Sequence, residues 1–231
     1  ILLAIVLFAA LSYVVTSSTR VSDQKGMSKE AANAAVATIT GWFSTLDAAI
    51  IRMSTTGGVD ILKIDFRDAA NKNQSLSGSY SYNGDPCNDP ACEIYSTTGG
   101  GAVPLEFTKY VNPEYVAPSR AGPGYRDYMV MKIEGIGTSL NDVVLRIKGL
   151  KAEVCSAYNR SVGISDTVVT DKMAASGGGV NYDGDTTAAL ASSGYYYGTG
   201  QSSAVAGQHT FCLITTGPPS FSEFYHVLIA R

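Results

Sequence analysis

The first fifteen residues, ILLAIVLFAALSYVV from Ile1 to Val15, carry no charge, and their apolar side chains would occupy every face of a helix rather than one stripe. A rod of that kind has to be surrounded on all sides, by lipid or by copies of itself. No other feature constrains the chain as strongly. At about 1.5 Å per residue, fifteen helical residues cover about 22 Å, short of the roughly 30 Å hydrocarbon core of a bilayer. No basic residue precedes Arg20 and no A-x-A-like site follows the apolar run, so the segment reads as retained rather than removed as a secretory signal.

The next stretch, TSSTRVSDQKGMS, is rich in side chains that compete with helical hydrogen bonds, and Gly26 costs about 1 kcal/mol relative to Ala in a helix interior. Residues near Thr16 to Gly26 are expected to be non-helical once rods crowd together, because hydroxyls offer the backbone other partners. Helix resumes at a cap, Ser28. Ala32, Val36, Ile39, Phe43, Leu46, Ile50 and Met53 then recur at intervals of three and four, one amphipathic face that ends at Thr56-Gly57-Gly58. The chain therefore divides into residues 1–27, an apolar helix with a weakened segment, and residues 28–231, a globular head that includes the amphipathic helix 28–55.

Within the head, residues 59–127 are irregular, with a short strand candidate at Ile61 to Phe66 and turn-rich runs YNGDPCNDPAC, TTGGGAVP and SRAGPG. Two alternating runs, Tyr128 to Ile136 and Asp142 to Leu150, are separated by GTSLN and predict a hairpin. A short helix follows in KAEVCSAYNRSVG, with Val154, Tyr158 and Val162 on one side. After a Gly/Ser/Tyr-rich excursion over residues 165–207, two more strands are expected at Gln208 to Thr215 and Glu223 to Arg231. The fold class that results is α+β: a long N-terminal helix, apolar then amphipathic, packed on a mainly four-stranded antiparallel sheet.

Charged residues make up 16% of the 231 positions against roughly 25% in a typical soluble domain, the net charge is -3, and 24 Gly with 14 Tyr and many Ser and Thr supply the polar surface. This balance excludes a disordered tail and a basic nucleic-acid binder, and it suits an extracellular setting. No G-x-S-x-G, paired-carboxylate or phosphate-loop pattern is present, and GYRDY and the GGG runs lack the strand-to-helix context of a nucleotide loop. No catalytic residue, cofactor or metal is expected. Asn181, Asp183 and Asp185 alternate as calcium ligands do, but the glycine is misplaced and no Glu closes the loop, so they read as an Asp-Gly turn. His209 and His226 read as ordinary strand histidines. The tyrosines of Gly194 to Gly198 (GYYYG) suit packing between subunits better than stacking on sugars or bases.

An uncharged apolar helix continuing into an amphipathic one, then a strand-rich head with a Cys pair in its C-terminal third, resembles the type IV pilins, most closely the type IVb subclass. The match is sharpest at GLKAEVCSAYNRSVG, residues 149–163, which is similar to the segment that holds the first cysteine of the type IVb disulfide. That resemblance implies Cys212 as the partner of Cys155. Local spacing favours the same pair, together with Cys87 and Cys92, among the three pairings that four cysteines allow. Both bridges imply an oxidising compartment. The rival use is a zinc site from Cys87, Cys92, His209 and Cys212, and it is set aside because the disulfides already account for the cysteines. Where pilins of this family carry a glutamate, five residues into the mature chain, the residue here is Ile5; either the chain as read begins downstream of that end or its subunits register without the charge.

The expected function is that of a structural subunit, a major pilin, and not an enzyme. An apolar rod leaves a membrane only by packing against identical rods, which gives an open helical polymer with Ile1, Leu2, Leu3, Ile5, Val6, Leu7, Phe8, Leu11, Val14 and Val15 in its core. The resemblance implies the remaining partners: the inner membrane before assembly, and the pilus assembly machinery with its cytoplasmic ATPase and processing peptidase. It also implies an extracellular pilus at the cell surface, of which cell adhesion is one use; no nucleic-acid partner is predicted. The alternatives are a type II secretion pseudopilin and a membrane-anchored extracytoplasmic binding module or enzyme whose head works alone.

Overall fold

In the computed structural model the described residues are 26–66, 89–112, 126–133, 135–138, 140, 142–164, 180–181, 196–197, 205–214 and 222–231. Helix α1, Lys29–Thr55, starts where Ser28 accepts a hydrogen bond from the Ala31 amide at 3.2 Å. Glu30 in its first turn and Arg52 in its last complement the helix dipole. It stops as the Thr56 and Gly57 amides both turn back to the Arg52 carbonyl, with Gly58 at φ 65° reversing the chain. Its buried residues, among them Ala32, Ile39, Phe43, Leu46, Ile50 and Met53, form the stripe the periodicity predicts, widened by Ala35, Trp42 and Ala49, while Val36 is half-buried. By length and composition α1 is able to cross a membrane, yet its apolar face is spent on the core of the head.

The predicted strand at Ile61 to Phe66 is instead a single 3-10 turn, Ile61–Lys63, followed by one isolated bridge between Asp65 and Glu93. The Asp60 carboxylate accepts from the Leu62 amide at 3.0 Å, and that local bond fixes a turn where an extended ladder was expected. A second such turn, Pro90–Cys92, is capped in the same way by Asp89.

The fold is α+β, with helix against a largely antiparallel sheet. Its strands are β1 (Arg126–Ile133), β2 (Asp142–Leu150), β3 (Val180–Asn181), β4 (Tyr196–Tyr197), β5 (Thr210–Ile214) and β6 (Ser222–Ile229), in the order β3-β1-β2-β6-β5 with β4 parallel to β1. Helix α2, Ala152–Ser161, follows β2 directly. Strand β1 ends three residues before the predicted Ile136, because the Ile136 amide turns back to the Ile133 carbonyl and Gly135 takes φ 79°. The buried Asp142 carboxylate finishes both strand ends, accepting from the Ile133 amide at 3.2 Å and from the Arg231 amide at 2.9 Å. That second bond explains why β6 stops at Ile229 rather than at Arg231. Strand β5 likewise covers only Thr210–Ile214 of the predicted Gln208 to Thr215.

Both faces of the sheet are covered. Val143, Leu145 and Ile147 of β2 and Phe224 of β6 face α1 and α2, whereas Val144, Tyr225, Val227, Phe211 and Leu213 build a second cluster with Ile136, Ile164 and Val205. Alternation of period two sorts the two sets. The register between β2 and β6 slips between Lys148 and Leu150, where Gly149 adopts φ 76°, a glycine bulge that turns β2 toward α2.

Candidate functional site

Helix α2 is fixed to strand β5 by a covalent and a polar clasp. Cys155 and Cys212 are both fully buried and are joined as a disulfide with Cα atoms 5.4 Å apart. Asn159, one turn further along α2, donates its side-chain amide to the Cys212 carbonyl at 2.8 Å and accepts from the Cys212 amide at 3.0 Å. A side-chain carboxamide thus takes the place of a neighbouring strand on the outer edge of β5. Val154 and Tyr158 of α2 are buried as the sequence predicts; Val162 lies beyond the helix end and is exposed, and Ala157 and Asn159 complete the buried side instead.

A chain of side chains runs beside that clasp. His226 of β6 lies face to face on Phe43 of α1, ring centroids 4.2 Å apart and planes 7° apart. Its Nε2 is 3.1 Å from Asp47 Oδ1, and its Nδ1 is 2.7 Å from Thr210 Oγ1. Thr210 in turn bonds to the Tyr158 phenol. The Asp47 carboxylate accepts from Nε2–H, and the Thr210 hydroxyl bridges the imidazole Nδ1 and the Tyr158 phenol. A hydroxyl, an imidazole and a carboxylate in that order also form the skeleton of a hydrolytic triad. Here the imidazole is only 7% exposed and lies flat against an aromatic ring. The arrangement fastens α1 to the β5–β6 edge.

Burial pushes the Tyr158 phenol above its ordinary value of 10.0, and the bond to Thr210 pulls the other way. A proton held more tightly in the folded state gives stability that is present below pH 10 and lost as pH rises through the raised value. The expected result is an alkaline loss of stability that begins near pH 10 in denaturant titrations, with a flatter slope in Tyr158→Phe. An unchanged slope in that variant would assign the loss to other groups.

Between α1 and residues 100–105 lies a groove of about 650 Å³ lined by Gly41, Thr45, Ala48, Val103, Pro104 and Leu105 among others. Trp42 donates its indole N–H to the Val103 carbonyl at 2.8 Å and stands edge-on to Phe107, which pins the rim. The side of α1 that borders the groove is uncharged from Ala31 to Leu46.

The residues expected to form the core of a polymer, Ile1 to Val15, lie outside the described residues, as do Thr16 to Lys25 and Cys87. Cys92 is disulfide-bonded. Because Cys92 and Cys212 are both oxidised, the zinc set with Cys87 and His209 loses two of its ligands, and no group of three metal-binding side chains occurs among the described residues. His209 is exposed, and its carbonyl accepts from the Val227 amide at 2.8 Å. Asn181 belongs to β3, while Asp183 and Asp185 are outside the described residues; of GYYYG only Tyr196 and Tyr197 are described, as β4. Sequence reasoning missed Asp47, Asn159 and Thr210. Asp47 stands four residues after Phe43, a spacing that places both on one side of α1, but nothing in the chain announces their meeting with His226. No family model, characterised protein or solved structure matches the chain.

Proposed function

We propose that the chain is the structural subunit of an extracellular type IV-like pilus, a major pilin that polymerises through its apolar N-terminal segment. The observation that carries this reading is the pairing of two unlike halves in one line. The fifteen uncharged residues Ile1–Val15 precede a helix whose own apolar face is already buried in the head. The first segment must therefore find apolar neighbours elsewhere, first in lipid and then among copies of itself, with no contribution from the head's core. An oxidised head with a sparse charge complement suits the cell surface, and the inner membrane and the pilus assembly machinery are the partners this reading brings with it. The pilin likeness of the head is part of the proposal: a long helix laid on a sheet, with a disulfide-clasped α2 between β2 and the last two strands. The test is electron microscopy of the full chain sheared from cells. Long fibres composed of it are expected. Short periplasmic assemblies would favour a pseudopilin, and dispersed monomers after detergent removal would favour an anchored module.

A further inference from the structure

Helix α1 carries a glycine for which the described residues have no use. Gly41 lies in the middle of the helix on its exposed side, and glycine there weakens a helix relative to alanine. A Cβ built on Gly41 would meet nothing within 4 Å. Apart from Gly26, where an added Cβ would meet only the movable end of Glu153, every other described glycine has an internal reason: its φ is positive, or an added Cβ would come under 3.0 Å from backbone. The missing side chain at Gly41 therefore makes room for something outside the described residues.

What it makes room for is defined by the groove it borders. The lining carries no carboxylate, and its one cation, Arg52, turns its guanidinium onto the carbonyls of Gly99 and Gly100. On the opposite wall Val103 is 75% exposed, an apolar side chain without cover among the described residues. Small residues at Gly41, Thr45 and Ala48 succeed one another along one side of α1, the spacing that lets a second helix come close. We propose that this groove receives the apolar segment Ile1–Val15 of a second copy of the chain. The inference rests on the filament reading and names the surface that the segment occupies. The segment is the one part of the chain that is long, uncharged and apolar on every side, so it is matched to a long apolar groove. The molecule's own segment is poorly placed for it. The Met27 amide is held by the Glu153 carboxylate at 3.3 Å, and Gly41 lies about 21 Å further along the helix axis, so the chain would have to double back along α1 to reach it.

The test uses the full chain with a photoreactive p-benzoylphenylalanine at Thr45, expressed separately from an isotopically heavy copy that lacks the probe and assembled with it from detergent. Irradiation is expected to join light residue 45 to heavy peptides from residues 1–15. Links confined to light peptides of the same molecule, or links to the head of a neighbour, would overturn the proposal. In parallel, Gly41→Leu is expected to raise the melting temperature of the head slightly, since its side chain has room and leucine favours helix over glycine, and to lower fibre yield at least tenfold. Wild-type fibre yield from that variant would also overturn it. Fibres without the cross-link would remove the groove and leave the filament reading standing; cross-links between copies without fibres would do the reverse.

Discussion

Leu7→Asp is expected to reduce fibre yield below detection while the head keeps its disulfide and its melting temperature. A carboxylate carried into a dry helical core costs several kcal/mol, and each subunit of a polymer pays that cost at its own interface. Even about 3 kcal/mol per subunit corresponds to roughly a 150-fold loss of association at 25 °C. The head keeps its own means of folding, because its described core is complete from Met27 onward and its first helix has its own cap at Ser28. Two measurements on one preparation therefore separate assembly from folding: the yield of sheared fibres, and thermal unfolding of the detergent-solubilised subunit. Leu11→Asp should behave alike, whereas Leu7→Ala, which removes volume without adding charge, should give a smaller loss. Normal fibres from Leu7→Asp would remove the packing role assigned to Ile1–Val15.

The parts of the head that could be read in advance are those in which one physical constraint dominates a run of residues. In α1 the three-and-four spacing of Ile39, Phe43, Leu46, Ile50 and Met53 coincides with a serine cap and a Gly-Gly stop, so periodicity and termini point to the same helix. In β2 a run of Val, Leu and Ile residues is buried on both sides of the sheet, and the predicted span Asp142 to Leu150 is the observed one. Element ends were less accessible, because they depend on partners distant in sequence. Asp142 ends β1 and draws the chain out of β6, and the two amides it receives are 98 residues apart, at positions 133 and 231.

The candidate sites were legible only where covalent chemistry marks the residue. Cys155 on a short helix announces a bridge, and its partner is Cys212. Nothing comparable marks Asn159, whose carboxamide does for the β5 edge what another strand would do, or Asp47, whose meeting with His226 spans 179 residues. The run from Ile61 to Phe66 shows the opposite failure. Its apolar content favours a strand, and a single carboxylate at position 60 overrides it with a turn. The periodicity of α1 passes over Gly41, a helix-weakening residue inside an otherwise regular pattern. Its significance emerged only when the space around it was found open.

Replacing Cys155 and Cys212 together by Ala is expected to cost the head about 4 kcal/mol, the loop-entropy value for a bridge that spans 57 residues. For a domain of this size that corresponds to a fall of roughly 8 to 16 °C in melting temperature. The fold should survive the change, because Asn159 still holds the Cys212 backbone from the same side of α2 and the Tyr158 ring still packs edge-on against Phe224 at 4.6 Å. Asn159→Ala alone should cost a further 1–3 kcal/mol, since it strands the buried amide and carbonyl of residue 212. The two lesions act on one residue, so their combined cost should depart from the sum by 0.5 kcal/mol or more. Without the bridge, loss of the carboxamide frees α2 from the sheet edge, and the combined variant is expected to expose β5 and aggregate on warming. Thermal denaturation of the four proteins, with mass spectrometry to confirm the Cys155–Cys212 linkage in the parent, decides the matter. Equal melting temperatures with and without the bridge would show that the polar clasp alone fastens α2 to β5.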